Sequence, residues 1–366
     1  MQSSEVMHLP VVQLHSCTIA LAAKFEQGGG TTRRSTFREA LEYFPPREPA
    51  RFDFLITLAS HLSSRYEQLG VIKDLNEAIV LVREALDLCL QGHPNWSISL
   101  SDLSMYLANR YEQLGAMEDL DEAIVLVREA LNFYSQGHPN RSIPLNNLAN
   151  RLSTRYNQFG AMEDLDVAIV LDREALDLCP QGHHNRPIAL ASLAAHLSTR
   201  YDQLGAMQDL DEAIVLEREA LNHRPRGHSM RSMSLGNLAA HLSAPYHQLG
   251  AMEDLDEAIV LDREALNYRP RGHPDRLVSL NNLAGYLSVR YDQLGEMEYL
   301  DEAIVLVREA LELFPPGHPD RSKPLNRLAD SLHTRYNKLG TMEDLDQAIV
   351  LIREALDLCL QEHPCR

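Results

Sequence analysis

Apolar residues along this chain follow two alternating helical patterns, and a glycine separates one pattern from the next. In residues 140–184 the first pattern consists of Leu145, Leu148, Ala149, Leu152 and Tyr156. Their spacing of i, i+3, i+4, i+7 and i+11 places all five on one stripe of a helix with 3.6 residues per turn. We expect this helix to end at Gly160, because glycine commonly terminates helices.

The second pattern of the same segment predicts another amphipathic helix. Its apolar positions are Leu165, Ala168, Ile169, Ala175 and Leu176. Asp164 is predicted to be its N-cap, since an aspartate can accept hydrogen bonds from the free amides of a first helical turn. Elsewhere the spacing matches a capping box, at Asp74 with Glu77, Asp119 with Glu122, Asp209 with Glu212, Asp254 with Glu257 and Asp344 with Gln347. Prolines then block continuation of the helix, at Pro180, Pro225, Pro270 and Pro315.

The pair of helices repeats with a constant period. Tyrosines recur every 45 residues without insertion or deletion, at Tyr66, Tyr111, Tyr156, Tyr201, Tyr246, Tyr291 and Tyr336. This predicts seven full repeats within residues 51–366 and an eighth, degenerate repeat with a leader in residues 1–50. One hairpin of this size cannot bury its apolar stripe alone, so the hairpins must stack. The predicted fold is an all-α, right-handed α-solenoid of tandem helix–turn–helix repeats.

Several positions of the repeat resemble the tetratricopeptide motif. Ala168, Ala175 and Pro180 stand at the spacing of its small residues and terminal proline, and Leu145 to Leu152 match its first helix. The 45-residue repeat resembles the longer variety found in kinesin light chains. Leu280–Ala284 and Gly272–Arg276 resemble fungal repeat arrays associated with CHAT caspase-like domains.

The resemblance implies that the first helices line a concave face. Four asparagines on these helices are the candidate groove residues: Asn146, Asn150, Asn281 and Asn326. An asparagine amide donates and accepts together, so it can pair with both polar groups of an extended peptide backbone. The two columns that contain them vary between repeats, which fits either a groove adapted to a partner or positions without constraint.

The net charge indicates which classes of partner are disfavoured, and the cysteine content indicates the cellular compartment. A formal net charge of −18 repels nucleic-acid phosphates and anionic lipid. Nucleic acid and membrane surfaces are therefore unfavourable partners. The five cysteines are an odd number, and three of them share one repeat position with aromatic residues and arginines, a pattern of packing rather than of disulfides. We expect a cytoplasmic location.

Residues with chemical potential repeat along the chain without forming a site. One histidine per repeat lies in the interhelical turn, and neighbours about 10 Å apart are too distant to share a zinc ion. We expect these histidines to stabilise the turn, and Arg173 and Glu174 with their equivalents to form ion pairs. The sequence has no phosphate-binding glycine loop or dinucleotide fingerprint. We predict no catalytic, cofactor or metal site, and no enzyme activity.

Two irregularities interrupt the regular pattern. Pro245 replaces an arginine inside a first helix, where the lost hydrogen bond costs roughly 3 kcal/mol, so we expect a kink or an early helix end. Asp172, Glu217 and Asp262 occupy a position that is Val or Ile in the other four repeats. One hypothesis is a polar seam neutralised by Arg155, Arg200 or other arginines, and the favoured alternative is an exposed edge.

The predicted function is a scaffold that binds a protein or peptide partner on the concave surface. The alternative is a regulatory repeat array from a larger CHAT caspase-like peptidase or an NLR-type receptor. After Leu356 the chain ends within ten residues without a polar capping helix. That ending leaves three possibilities: an exposed edge, an edge covered by a partner, or a natural protein that continues.

Overall fold

The computed structural model describes residues 49–88, 94–249, 252–273, 275–315, 318 and 321–362. Within these ranges the chain forms helices and no strands. In chain order the α-helices are α1 Pro49–Leu69, α2 Ile72–Leu88, α3 Pro94–Leu114, α4 Met117–Asn132, α5 Ser142–Phe159, α6 Met162–Asp177, α7 Arg186–Leu204, α8 Met207–Asn222, α9 Arg231–Leu249, α10 Met252–Asn267, α11 Arg276–Leu294, α12 Met297–Glu312, α13 Ser322–Leu339 and α14 Met342–Glu362. A short 3-10 helix, Pro139–Arg141, precedes α5.

Consecutive helices pack in antiparallel pairs, which we call hairpins one (α1 and α2) to seven (α13 and α14). The predicted fold of tandem helix–turn–helix repeats with a 45-residue period is confirmed. The chain divides into two compact units, residues 1–185 and 186–366. The first unit contains hairpins one to three and the second contains hairpins four to seven. Residues 1–48, where the degenerate repeat is predicted, lie outside the described residues.

Each hairpin buries the same apolar positions. Three leucines of every first helix are buried, as in Leu145, Leu148 and Leu152 of hairpin three, which are 0%, 5% and 1% exposed. Two alanines of every second helix, Ala168 and Ala175 in hairpin three, are also buried. These small side chains allow the two helices to approach closely. The predicted core stripe is therefore confirmed.

The tight turn inside each hairpin depends on glycine. Gly160 follows α5 with φ 71°, in the left-handed region, and its N–H donates to the Tyr156 carbonyl at 2.7 Å. Gly295 repeats this geometry after α11, with φ 71° and the same bond to Tyr291. Residues with a Cβ pay a steric cost at positive φ, so glycine is required here.

The aspartates predicted to be N-caps lie one turn further inside their helices. The residue that caps α6 is Ala161, and Asp164 is the third helical residue. The same displacement occurs at Asp119 in α4 and Asp209 in α8, where no side chain caps the helix. The capping-box prediction was wrong because the helices begin at a methionine two residues before the aspartate. Their carboxylates instead bind an arginine of the preceding helix, as described below.

Pro245 does not end its helix early, contrary to one of the two alternatives expected from the sequence. Helix α9 spans Arg231–Leu249 and continues through position 245. Proline removes one amide donor from the helix interior. Helix α9 therefore continues despite the hydrogen bond that Pro245 removes.

Candidate functional site

An arginine near the end of the first helix binds the aspartate at the third position of the second helix. In hairpin two, Arg110 Nε and Nη2 donate to the two carboxylate oxygens of Asp119 at 2.7 and 2.6 Å. This bidentate geometry is the strong form of a charge-assisted hydrogen bond. The same pair recurs as Arg65–Asp74, Arg155–Asp164, Arg200–Asp209 and Arg335–Asp344.

We call this pair of an arginine in the first helix and an aspartate in the second helix the clamp. It is incomplete in hairpins five and six. Proline at position 245 leaves hairpin five without the arginine, and Tyr299 stands where hairpin six would have the aspartate. Arg290 of hairpin six binds Asp256 of hairpin five instead, at 2.9 Å. Where the clamp is intact, the bond from Arg335 lowers the pKa of Asp344. In hairpin seven the clamp therefore connects the two helices through a carboxylate whose ionised form is favoured.

Further ion pairs confirm the predicted role of the repeated arginine and glutamate in the second helix. Arg83 of α2 donates to Glu122 of α4 at 2.7 Å, and Arg218–Glu257 and Arg263–Glu302 repeat this link between neighbouring hairpins. Within hairpin three, Glu174 accepts from Arg141 at 2.8 Å. Exposed pairs of this kind contribute at most about 1 kcal/mol each.

The turn histidines stabilise the entry into the following first helix, as predicted. His138 Nδ1 accepts from the Asn140 backbone N–H at 3.2 Å, and His183 makes the same bond to Asn185. His228 and His273 repeat it. No group of three or more His, Cys, Asp or Glu side chains in the described residues could hold a metal ion.

The three acidic residues of the second helices are buried, so the exposed-edge alternative was wrong. Asp172, Glu217 and Asp262 are each 0% exposed. Two arginines that directly follow the second helices of hairpins four and five are buried with them, Arg224 at 1% and Arg269 at 4% exposure. In the second unit the buried acids are influenced by the charges of Arg224 and Arg269 rather than of Arg155 or Arg200, although the carboxylate oxygens of Glu217 and Asp262 have no hydrogen-bond partner among the described residues.

Both buried arginines bridge three segments of the second unit. Arg269 Nη1 donates to Ser279 Oγ of α11 at 2.5 Å, and Nη2 donates to the Ser232 carbonyl of α9 at 2.9 Å. Arg224 repeats this with Ser234 Oγ at 2.5 Å and the Pro187 carbonyl at 3.1 Å. Each guanidinium thus joins a hairpin to the one that follows it.

Burial changes the protonation of the acidic partners. Burial raises the pKa of Asp262 to about 7, although nearby Arg269 opposes the rise. Burial also raises the pKa of Glu217, against Ser234 and Arg224. The Tyr286 hydroxyl has its pKa raised to about 12 by burial and by the Asp262 charge. The interior of hairpin five therefore contains a carboxyl group poised between its neutral and charged forms at neutral pH.

Comparison with known proteins supports the hairpin assignment. Two segments, residues 97–140 and 276–320, match the tetratricopeptide repeat family model. These two segments are similar to tetratricopeptide repeats. They correspond to hairpin two up to the entry of α5, and to hairpin six up to the entry of α13.

Three solved structures are among those to which the chain is similar. The match to a monomeric IFIT1 mutant with m7Gppp-AAAA covers 96% of this chain and 72% of the IFIT1 chain, at 14% sequence identity and a TM-score of 0.56. The match to a candidate kinesin light chain of Podosopora anserina with nearly identical TPR-like repeats covers 59% of this chain and 97% of the other, at 20% identity and a TM-score of 0.41. The match to YrrB, a TPR protein with an unusual peptide-binding site, covers 67% of this chain and 96% of YrrB, at 18% identity and a TM-score of 0.38. No curated protein matches the chain in sequence.

The four candidate groove asparagines occupy different environments in the two units of the chain. In the first unit Asn146 is buried, at 6% exposure, whereas Asn150 is half-buried and its carbonyl accepts from Thr154 at 2.9 Å. In the second unit Asn281 is half-buried and Asn326 is exposed. Arg327 of α13 donates to the Asn281 carbonyl of α11. The contact joins neighbouring first helices at the proposed groove.

Sequence reasoning did not connect Arg224 and Arg269 with the buried carboxylates, although a signal was present. In hairpins four and five, an arginine replaces the Cys or aromatic residue seven positions after the acid. Hairpins four and five carry both departures from the repeat, the acid and the arginine, and this coincidence indicates that the two side chains lie near each other. None of the helices in the described ranges is long and apolar enough to cross a membrane.

Proposed function

We propose that this chain is a scaffold whose first helices bind a protein or peptide partner, without catalysis of its own. The supporting observation is a contrast on the first helices. Three leucine positions are buried in every hairpin, whereas the intervening positions differ in residue type and exposure. A surface that varies over an invariant support is suited to recognising a partner with different chemistry along its length.

Asn150, Asn281 and Asn326 are the groove residues that the solvent reaches. Their amides can pair with both the N–H and the C=O of an extended peptide backbone. Asn146 has little exposed surface, so we assign it a supporting role under the groove in hairpin three. The net charge of −18 favours a partner other than nucleic acid, and the odd cysteine number favours a reducing, cytoplasmic location.

Affinity capture from native lysate tests the proposal. The intact chain is compared with a variant carrying Asn150→Ala, Asn281→Ala and Asn326→Ala, and we expect the variant to lose partners at unchanged helical content. A matched control carries Val125→Ala, Val260→Ala and Val305→Ala, which trim exposed side chains of second helices. Partners lost only from the control would place binding on the second helices and contradict the proposal.

A regulatory array belonging to a larger CHAT caspase-like peptidase or NLR-type receptor is the second candidate. It is favoured by the strings Leu280–Ala284 and Gly272–Arg276, which resemble CHAT-associated repeats. A transcript that continues past Arg366 into an α/β domain would support it. If the intact chain captures no partner at all, the scaffold proposal fails and this candidate replaces it.

A further inference from the structure

Hairpins three, four and five each contain a buried carboxylate, and they differ at one position of the first helix. That position holds Asn146 in hairpin three, Ala191 in hairpin four and Gly236 in hairpin five. In hairpin three both Asn146 and Asp172 are buried, so there the chain places a polar side chain of its own at this position. In hairpin five the corresponding side chain is absent.

The geometry around Gly236 is defined by two charged groups. A Cβ on this residue would lie 3.6 Å from Asp262 Oδ1 and 3.6 Å from both Nη atoms of Arg269. These are ordinary van der Waals distances, so a methyl-sized group fits beside both charges. We call this place, bounded by Gly236, Asp262 and Arg269, the Gly236 recess.

Both charged groups of the recess have hydrogen-bonding capacity to spare. Among the described residues, neither carboxylate oxygen of Asp262 has a hydrogen-bond partner, and Arg269 Nε has none. Asp262 is 0% and Arg269 4% exposed. Buried polar atoms of this kind are rare in folded proteins, since an unpaired atom loses its hydrogen bonds to water without gaining others.

Hairpin four also has a buried acid whose two carboxylate oxygens have no hydrogen-bond partner among the described residues, Glu217, but its side chains are larger. Its buried arginine and the serine bound to it, Arg224 and Ser234, correspond to Arg269 and Ser279. Its acid is Glu217 instead of Asp262, and its first-helix residue is Ala191 instead of Gly236. Relative to hairpin four, hairpin five is smaller by one methylene in the acid and one methyl on the first helix. The two reductions fall at neighbouring atoms and leave room for an added group.

The surface next to the recess allows a partner to approach. Gly236 and Asn237 are half-buried, and Ala240 is exposed one turn further along α9. Without a side chain at Gly236, the main chain of a partner can come close to the helix. The recess therefore opens on the same first-helix surface that we propose as the groove.

We propose that the Gly236 recess binds a hydroxyl group from a serine or threonine side chain of the partner. A hydroxyl is methyl-sized, donates one hydrogen bond and accepts others. It would donate to Asp262 Oδ1 and accept from an Nη atom of Arg269, so that one of the two unpaired carboxylate oxygens gains a partner. Arg269 Nη1 already donates to a serine hydroxyl, that of Ser279. This inference rests on the scaffold proposal and names one feature of its partner.

Binding of short peptides tests the recess without a known partner. The probes are acetyl-Gly-Ser-Gly-amide and acetyl-Gly-Ala-Gly-amide, followed by NMR at the Gly236 amide and the Arg269 side chain of the full chain. We expect the serine peptide to bind at least tenfold more tightly than the alanine peptide. The difference should vanish in Asp262→Val, a variant compatible with folding because Val82, Val127 and Val307 occupy this position elsewhere. Equal binding of both peptides overturns the proposal.

A hydroxyl supplied by the chain itself provides a second test. Both Gly236→Ser and Gly236→Ala raise the helix-forming tendency, alanine more than serine, but only serine carries a hydroxyl, so a greater stability of the serine variant would come from the hydroxyl. We expect the unfolding equilibrium constant of Gly236→Ser to be at least tenfold below that of Gly236→Ala. In hairpin four, Ala191→Ser should not stabilise the chain. If Gly236→Ser is no more stable than Gly236→Ala, the recess cannot accommodate the group and the proposal is wrong.

The two tests separate this inference from the scaffold proposal. Stabilisation by Gly236→Ser without preference for the serine peptide would mean that the recess is a water site only, which overturns the inference. Captured partners with no serine preference refute the recess alone. A serine preference without any captured partner refutes the scaffold proposal and leaves the recess as a hydroxyl-binding site.

Discussion

Hairpins five and six have nearly the same second helix and different interiors. Val307 of hairpin six is 0% exposed, as is Asp262 at the equivalent position of hairpin five. Seven residues later hairpin six has Phe314 and hairpin five has Arg269. One stack of hairpins thus accommodates an apolar contact at one level and a buried carboxylate and guanidinium at the next.

The comparison shows which features of the repeat determine the backbone and which do not. The leucine and alanine positions are buried in both hairpins, and both form the same helix pair. A buried charge pair adds little net stability compared with a packed apolar pair, because desolvation offsets the attraction. The polar level in hairpins four and five is therefore better explained by a functional or specificity requirement than by stability.

Removing the buried arginine of hairpin five should change the free energy of unfolding more than any other variant proposed here. Arg269→Ala leaves Asp262 buried next to no cation and frees the Ser232 carbonyl and Ser279 hydroxyl. We expect the free energy of unfolding at pH 8 to fall by about 3–5 kcal/mol. Urea titration of the full chain measures it, and amide hydrogen exchange in α9 to α11 localises the loss.

Arg263→Ala is the matched control for that prediction. Arg263 precedes the buried arginine by six residues and binds Glu302 with 45% of its side chain exposed. Its removal should cost less than about 1 kcal/mol. A similar loss from both variants would mean that Arg269 does not stabilise a buried carboxylate.

The second largest expected effect is on the pH dependence of the free energy of unfolding, to which hairpin five should contribute and hairpin six should not. The pKa of Asp262 is raised to about 7, and Arg269 and Tyr286 are the charged and titratable neighbours that couple to it. An acid with a raised pKa favours the folded state below its unfolded pKa, and this contribution is lost as the pH rises through 7. The stability of the wild type relative to Asp262→Val should therefore fall by roughly 3 kcal/mol between pH 5 and pH 8.

Chemical denaturation at several pH values measures this difference. Val307→Ile in hairpin six is the control, since it changes a buried apolar side chain without adding a titratable group. Its stability relative to the wild type should not change with pH. A flat difference for Asp262→Val would show that the carboxyl group does not titrate in this range.

The sequence was sufficient to predict the helices, the period and the buried leucine and alanine positions, because these follow from apolar spacing alone. It was insufficient for the aspartates at the start of the second helices. An acid followed three residues later by Glu fits both an N-cap and a position inside the first turn, and only the arginine nine residues earlier distinguishes them. The Arg110–Asp119 clamp shows how a partner on the neighbouring helix overrides a local capping preference.

The candidate site was predicted less completely than the fold. Angular position on a helix places Asp262 near the edge of the apolar stripe, and the neighbouring hairpin decides whether that edge is covered. The same holds for Asn146, which is buried although Asn326 at the equivalent position of hairpin seven is exposed. Equivalent positions of a repeat differ in burial when the residues around them differ, so sequence register alone does not determine access.

Restoring the arginine that hairpin five lacks should change stability by a smaller amount than the pH shift. Pro245→Arg returns an amide donor to the interior of α9 and allows a clamp to Asp254, as Arg200 forms with Asp209 in hairpin four. We expect a gain of about 2–3 kcal/mol, mainly from the restored helix. Urea titration measures the gain, and Pro245→Ala separates the helix contribution from the clamp. Destabilisation by both variants would contradict the prediction.

Breaking one interhelical clamp should have the smallest effect, because water can replace part of the lost interaction. In hairpin two, Arg110→Lys keeps the charge but cannot form both bonds to Asp119. Since the arginine side chain is 22% exposed, we expect a loss of about 1–2 kcal/mol, measured by denaturation. Arg290→Lys is the control, because Arg290 makes a single bond to the half-exposed Asp256 and faces Tyr299 in place of the clamp aspartate in its own hairpin. If both variants lose the same stability, bidentate geometry does not matter and the clamp acts only as an ordinary ion pair. A larger loss at Arg110 would show that the turn between the two helices of a complete repeat is held more firmly than that of hairpin six, whose arginine retains only the contact with the preceding hairpin that Arg335 makes in addition to its clamp.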